Sequence, residues 1–278
     1  NITRVLYRNN HFYVLANGVI EQYALDFTLQ TTLPLPVGVE LCDIGFTADD
    51  YLVAKVKNKG AFYTWDENMQ NPKLLFEVSD IRGNSFAVSG ARWESQYYLW
   101  DAATIFHITY DEDANKATVK EEKAAEHVVG DQLTMTPQGT ISIVSGASFF
   151  RYADASYMVK PENNTFQLYD ITSGLDKAVE VSERYPNDPT LSYCPPYLAT
   201  TSWVDGYTIH VAIFGEGFGM QHYQTLTSPV ANVFAGEVSF DGKDFYFRLN
   251  EDATDVSLTI EKNNEIVRTH SWGALKKG

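Results

Sequence analysis

The chain has 278 residues, 44% of them hydrophobic, which is ample material for one large core or for a large and a small one and excludes global disorder. Its formal charge is -15, from 36 acidic against 21 basic residues, and Lys276 and Lys277 are the nearest approach to a basic run. A phosphate backbone would be repelled, so nucleic acid is excluded as an expected partner.

Aromatic residues make up 14% of the chain, and such side chains favour pleated, half-buried surfaces over helix interiors. No apolar run reaches the ~18 residues of a membrane span. The two cysteines, Cys42 and Cys194, supply neither a disulfide framework nor a thiol metal site. Two buried thiols and a single disulfide both remain open.

Taken in chain order, the first β-type segments are Thr3 to Arg8, His11 to Ala16 and Val19 to Asp26, with Asn17-Gly18 as a hairpin signal between the last two. Tyr51 to Val56, Ala61 to Asp66 and Lys73 to Val78 repeat the pattern around a turn at Asn58-Lys59-Gly60. Ser85 to Gly90, Tyr97 to Asp101, Ile105 to Tyr110 and Thr118 to Glu122 form a third set, with Glu121 to Val128 as the one short helical alternative. Ile141 to Ser145, Thr165 to Asp170 and Ala178 to Val181 form a fourth, and the stretch from Tyr197 through Phe214 to Tyr223 a fifth.

A unit of about four strands and roughly 40 to 55 residues is the spacing of propeller blades. The expected fold is therefore an all-β propeller of about five blades, give or take one, over residues 1–230. Residues 231–278, with alternating segments Phe245 to Leu249, Ser257 to Glu261 and Ile266 to Thr269, either close the propeller or begin a small sandwich. Trp65-Asp66, Trp100-Asp101 and Tyr169-Asp170 place a ring for packing between blades beside a carboxylate that can cap a turn.

Phe62-Tyr63-Thr64-Trp65-Asp66 followed by Asn71-Pro72-Lys73-Leu74-Leu75-Phe76 resembles strands of secreted propellers common among surface lipoproteins of gut Bacteroidetes, some of them labelled only as domains of unknown function. The tail, from Phe247-Arg248-Leu249 through Val256 to Ile260 and Ile266 to Thr269, resembles the first half of an immunoglobulin-like module related to the flagellar hook-capping protein. These resemblances imply an extracytoplasmic protein, periplasmic or on the outer-membrane surface, with a lipid anchor upstream and a glycan or a surface protein as partner. They imply no catalytic mechanism and no cofactor.

Several constellations invite chemistry. Asn187-Asp188-Pro189 resembles the tripeptide around the nucleophile of fructan- and sucrose-cleaving propeller hydrolases, although those carry it in the first blade and with a different continuation; the bland reading is a turn. As a retaining nucleophile Asp188 would need a second carboxyl group ~5 Å away. Asp111, Asp113, Asn115 and Glu122 match positions one, three, five and twelve of a calcium loop, but Lys116 stands where that loop needs glycine, which favours an acidic hairpin turn. His210 and His222, with Glu216 between them, would bind zinc only if the fold brought them together. The run Gly215 to Gly219 lacks the lysine of a phosphate loop.

Trp93, Trp203 and Trp272 stand beside polar residues and are the tryptophans expected to stack on a ligand ring. The expected function is non-enzymatic binding of carbohydrate or another extracellular ligand at the central funnel. A propeller-fold glycoside hydrolase or lyase and a structural or protein-interaction module are the alternatives.

Overall fold

A computed structural model of the chain describes residues 2–79, 81–101, 104–124, 132–162, 165–182, 198–206, 208–215, 219–225, 235–240, 242–249, 252–262 and 265–276. It is a five-bladed β-propeller in which every blade is built from strands consecutive in the chain. Blade 1 comprises β1 (Ile2–Arg8), β2 (His11–Ala16), β3 (Val19–Ala24) and β4 (Leu29–Thr32). Blade 2 comprises β5 (Leu41–Phe46), β6 (Leu52–Val56), β7 (Ala61–Thr64) and β8 (Lys73–Glu77). Blade 3 comprises β9 (Ser85–Ala91), β10 (Glu94–Asp101), β11 (Thr104–Asp111) and β12 (Lys116–Ala124), so the helical alternative over Glu121 to Ala124 is overturned by strand pairing with β11.

A two-stranded ribbon, β13 (Thr134–Met135) and β14 (Ile141–Ser142), then packs on β9 before the fourth blade begins. Blade 4 holds β15 (Ser148–Tyr152), β16 (Ala155–Glu162), β17 (Thr165–Asp170) and β18 (Val179–Glu180); blade 5 holds β19 (Leu198–Asp205), β20 (Thr208–Gly215) and β21 (Gly219–Thr225). Two further hairpins follow, β22 (Ala235–Phe240) with β23 (Phe245–Leu249), and β24 (Ala253–Lys262) with β25 (Glu265–Leu275). Phe247 of the first hairpin meets Trp272 of the second, ring centres 5.3 Å apart. No described helix is long and apolar enough to cross a membrane.

Local chemistry explains the hairpins. Asn17 and Gly18 adopt φ of 52° and 80°, the paired positive values that let a two-residue turn follow the right-handed twist of its strands. Gly83 is required for another reason: a Cβ there would lie 1.6 Å from the Trp100 carbonyl oxygen. The carboxylate-capped turns form at Asp66, which accepts from the Asn68 and Gln70 amides at 3.0 and 2.8 Å, and at Asp170, which accepts from Thr172 at 2.8 Å. Asp101 reaches backwards instead, accepting from the Arg82 amide at 2.9 Å.

The core is a circle of seams between blades. Leu15, Ile20, Ile44 and Trp65 join blade 1 to blade 2, and Phe62, Phe76, Phe86 and Tyr97 join blade 2 to blade 3. Trp100, Ala87 and Leu133 set the ribbon on blade 3; Tyr157, Phe166, Val211 and Ile213 join blade 4 to blade 5. Phe12, Trp203 and Phe214 close blade 5 on blade 1.

The inner strands β1, β5, β9, β15 and β19 face one another around the axis, and polar bridges run between them. Arg4 donates from Nε and Nη2 to the two oxygens of Asp43, both at 2.8 Å, and also reaches Thr134 Oγ1 at 2.8 Å and the Leu133 carbonyl at 2.7 Å. Asp43 in turn accepts from Ser85 Oγ and the Phe86 amide at 2.8 Å, and Ser85 Oγ accepts from the Leu133 amide at 2.8 Å. Across the ring, Thr200 Oγ1 donates to the Gly146 carbonyl at 2.7 Å and the Tyr7 amide to Thr201 Oγ1 at 2.9 Å.

Removing one member of such a buried pair strands the other charge. Asp43→Ala is expected to cost about 3–5 kcal/mol, whereas the double substitution Arg4→Met with Asp43→Leu recovers at least half of that loss. Urea unfolding followed by tryptophan emission measures both, and equal losses in the two variants would show that the bridge itself, and not the stranded charge, holds the blades.

Candidate functional site

The axis encloses a cavity of about 600 Å³. Its walls are the inner strands and the segments 132–137 and 146–149; apolar residues are the larger part of the lining, and set among them are the short hydroxyl side chains of Thr134, Thr136, Ser148, Thr200, Thr201 and Ser202. The hydroxyls are gathered from distant parts of the sequence because the inner strands stand side by side around the axis; on β19 successive residues turn to opposite neighbours, Thr200 to Gly146 and Ser148 and Thr201 to the Tyr7 amide. The Arg4–Asp43 network crosses the axis at the N-terminal ends of the inner strands and gives the cavity a polar floor.

At the other end Arg8 forms part of the rim. Its Nε lies 2.8 Å from Asp50 Oδ1, off the N–H axis so that the contact is an ion pair without a hydrogen bond, and its guanidinium lies 5.5 Å from the Phe46 ring centre. Tyr7, Phe46 and Phe149 supply the aromatic surface of the cavity. Ser202 Oγ is buried in the wall and has no hydrogen-bond partner. A buried hydroxyl in that condition is rare in a folded protein and calls for a water or a ligand group.

Of the expected ligand-stacking tryptophans, Trp93 is 58% exposed in the turn between β9 and β10. Its neighbour Arg92 donates its amide to Asp49 at 2.8 Å and lays its guanidinium 3.9 Å over Tyr51, which ties this turn to the same end of the propeller as the Arg8 rim. Trp203 is 9% exposed and packed: Tyr7 stacks on it at 4.0 Å and His210 at 4.8 Å, with planes within 9° and 5°. Its indole is therefore a seam residue, with its faces occupied by the chain's own rings. Trp272 is 38% exposed on β25, beside His270 at 4.7 Å.

Asp111 accepts from the Ala114 amide at 2.9 Å, and Asn115 turns its amide oxygen to the Tyr110 hydroxyl at 3.4 Å with φ of 46°. These two oxygens close the β11–β12 hairpin. The Glu122 side chain lies outside the described residues, as do Asp188, Cys194 and Glu216. Among the described residues no three of His, Cys, Asp and Glu gather in a metal-holding group. His210 and His222, twelve positions apart in sequence, are brought together, with Nδ1 and Nε2 2.9 Å apart.

Two groups, one buried and one half-buried, were invisible to periodicity. Lys55 is fully buried in β6 and donates its ammonium to the carbonyls of Val56 and Lys59 at 3.0 and 2.6 Å; burial pulls its pKa down. Cys42 is a free thiol on the neighbouring strand, pushed up to about 12 chiefly by burial.

No family model and no curated protein matches the sequence. Among solved structures the chain is similar to a virginiamycin B lyase from Staphylococcus aureus, 13% identical, with 90% of this chain and 92% of that chain covered and a TM-score of 0.47. It is also similar to a streptogramin B lyase, 9% identical over 90% of each chain with a TM-score of 0.48, and to a chain of a nidogen–laminin complex, 8% identical over 77% and 75% with a TM-score of 0.38. No residue role is carried across at these distances.

Trp203→Ala is expected to destabilise by about 3–5 kcal/mol, because it opens a void at the closing seam, whereas Trp93→Ala stays within about 0.5 kcal/mol; differential scanning calorimetry separates them. In a Cys194→Ser background Cys42 should react with a disulfide reagent at pH 8 on the order of a thousandfold more slowly in the folded chain than in urea, because the thiolate is the nucleophile. A rate near that of the unfolded chain would contradict the burial.

Proposed function

We propose that this chain is a non-catalytic binding propeller that takes a hydroxyl-rich ligand, carbohydrate in the first instance, into the axial cup. The observation that carries the reading is the cup wall: hydroxyls of Thr136, Ser148, Thr201 and Ser202 beside the rings of Tyr7, Phe46 and Phe149, in a cavity of about 600 Å³. That size falls in the range of small-molecule sites, about 300–1,000 Å³. A sugar presents apolar ring faces and hydroxyls in alternation, and aromatic planes with short hydroxyl side chains answer both. A ligand longer than the cup would run over the rim towards Trp93, the solvent-facing aromatic of that end.

The alternatives fare less well on the same wall. A retaining hydrolase needs two carboxyl groups about 5 Å apart, and the described lining has no carboxylate. A purely structural propeller would fill its axis with apolar side chains, whereas here the axis is crossed by an ion pair and flanked by hydroxyls. An extracytoplasmic location, with residues 231–278 as an accessory segment, belongs to the same reading and rests on the resemblances of the sequence.

Affinity electrophoresis against a polysaccharide panel, with reducing-sugar release followed in parallel, tests it. Retardation by at least one glycan without hydrolysis is expected, and Phe46→Ala or Arg8→Ala should weaken it at least tenfold while leaving the fold intact. Retardation unaffected by both substitutions, or none on any glycan, would remove the cup as a carbohydrate site.

A further inference from the structure

The pairing of His210 with His222 lies outside the cup, since neither residue lines the axial cavity. His222 is the register partner of Ala212, two residues along β20 from His210, so both side chains leave the same face of blade 5 on adjacent strands. His210 Nδ1 and His222 Nε2 stand 2.9 Å apart, the ring centres 5.1 Å apart and the planes 22° apart. A centre separation that close to the N···N distance plus two ring radii means that the imidazoles meet edge to edge in one layer, joined by an N–H···N hydrogen bond. Trp203 covers that layer, 4.8 Å from His210 and 5.3 Å from His222, and Tyr7 backs the indole at 4.0 Å. The pair is half open to solvent, with His222 exposed.

We propose that His210 and His222 form a two-imidazole site for a borderline transition-metal ion, Cu(II) in preference to Ni(II) or Zn(II), at the seam between the last blade and the first. Metal–nitrogen bonds are ~2.0–2.1 Å long, so two nitrogens in adjacent positions of a square field lie about 2.9 Å apart and two in a tetrahedral field about 3.4 Å. The 2.9 Å of the free pair is the length of its hydrogen bond, from which either field is reached by a small movement of the rings; the preference comes from the general affinity order of nitrogen sites, in which Cu(II) stands above Ni(II) and Zn(II). Asp205, on the strand that carries Trp203 and close enough to act on His210, adds a negative charge that favours a dication.

Loading balances without redox chemistry. The imidazole that donates the shared hydrogen bond moves its proton to its other ring nitrogen through solvent, the exposed His222 ring swings to converge its lone pair with that of His210, and the ion releases two waters. No third protein ligand joins them among the described residues, so water keeps the remaining positions and the ion exchanges freely.

The stack supplies its own reporter, because a paramagnetic ion held against the Trp203 layer quenches that indole. Titration of the full chain with CuCl2 or NiCl2, followed by tryptophan emission and, for copper, by electron paramagnetic resonance, is the test. One equivalent should quench part of the emission, with coupling to two nitrogens in the copper spectrum. His222→Gln, at an exposed position where the fold is kept, should weaken binding at least tenfold and abolish the quenching, and His210→Gln should do the same. His11→Gln, a histidine of blade 1 away from the pair, should leave both signals unchanged. Copper binding in His222→Gln equal to that of the native chain, or Ni(II) or Zn(II) binding tighter than Cu(II), would overturn the assignment.

Discussion

The Arg4–Asp43 ion pair is the point on which the propeller turns. Among the described sheets, blades share no backbone ladder with their neighbours. Apart from isolated backbone bonds such as Leu41 N–H to the Gly18 carbonyl at 3.0 Å and Ala48 N–H to the Gly90 carbonyl at 2.8 Å, what fixes one blade against the next is carried by side chains, and on the inner edge of the first three blades that duty falls on a guanidinium and a carboxylate, both almost fully buried. Taking two charges out of water is costly, and the cost is recovered only when every remaining donor and acceptor is satisfied. Here it is met by Thr134, the Leu133 carbonyl, Ser85 and the Phe86 amide, groups drawn from β9 and from the ribbon with the residue that leads into it. The pair thus sets blades 1, 2 and 3 and the ribbon in one register and leaves a polar floor under the cup.

This device was poorly legible in the sequence for a physical reason. Arg4 alternates with apolar Val5 in β1 as any solvent-facing residue would, and Asp43 with Gly45 breaks the apolar pattern of β5, so that strand went unread. The same holds for Lys55, whose ammonium closes the turn after β6 from inside. What was legible is what local chemistry dictates: the Asn17-Gly18 turn, the Asp66 and Asp170 caps, and the four-strand period. Pro161 hid β16, yet it sits past the end of the β15 pairing, where its missing amide costs nothing on that side.

The tryptophans teach a related lesson. Trp203 was singled out because Ser202 stands beside it, but successive residues of a strand point to opposite faces, so a polar neighbour says nothing about the ring's own surroundings. Ser202 lines the cup while Trp203 enters the seam behind it. Trp93 is different because it lies in a turn, where no opposite sheet face exists to bury it. Likewise the twelve-residue separation of His210 and His222 carries no signal; only the register that sets His222 against Ala212 makes them neighbours.

Closure of the ring follows from the same constraint. In the described sheets the chain's first strand stays in blade 1 and the last propeller strands stay in blade 5, so the circle is completed by packing and not by a strand exchanged between its two ends. That seam is correspondingly aromatic: Phe12 meets Trp203 at 5.6 Å and Phe214 at 5.3 Å, and Phe27 meets Phe214 at 5.7 Å. Edge-to-face pairs of this kind add to the area they bury, by about 0.5–1.5 kcal/mol each. The high aromatic content therefore has a mechanical origin before it has a functional one, because rings large enough to span two twisted sheets replace the backbone pairing that closure lacks. The width of the cup depends on that seam: Tyr7 and Thr201 line the cavity on one side and form the blade 1 to blade 5 joint on the other, so any shift of the aromatic stack moves the wall that a ligand would touch.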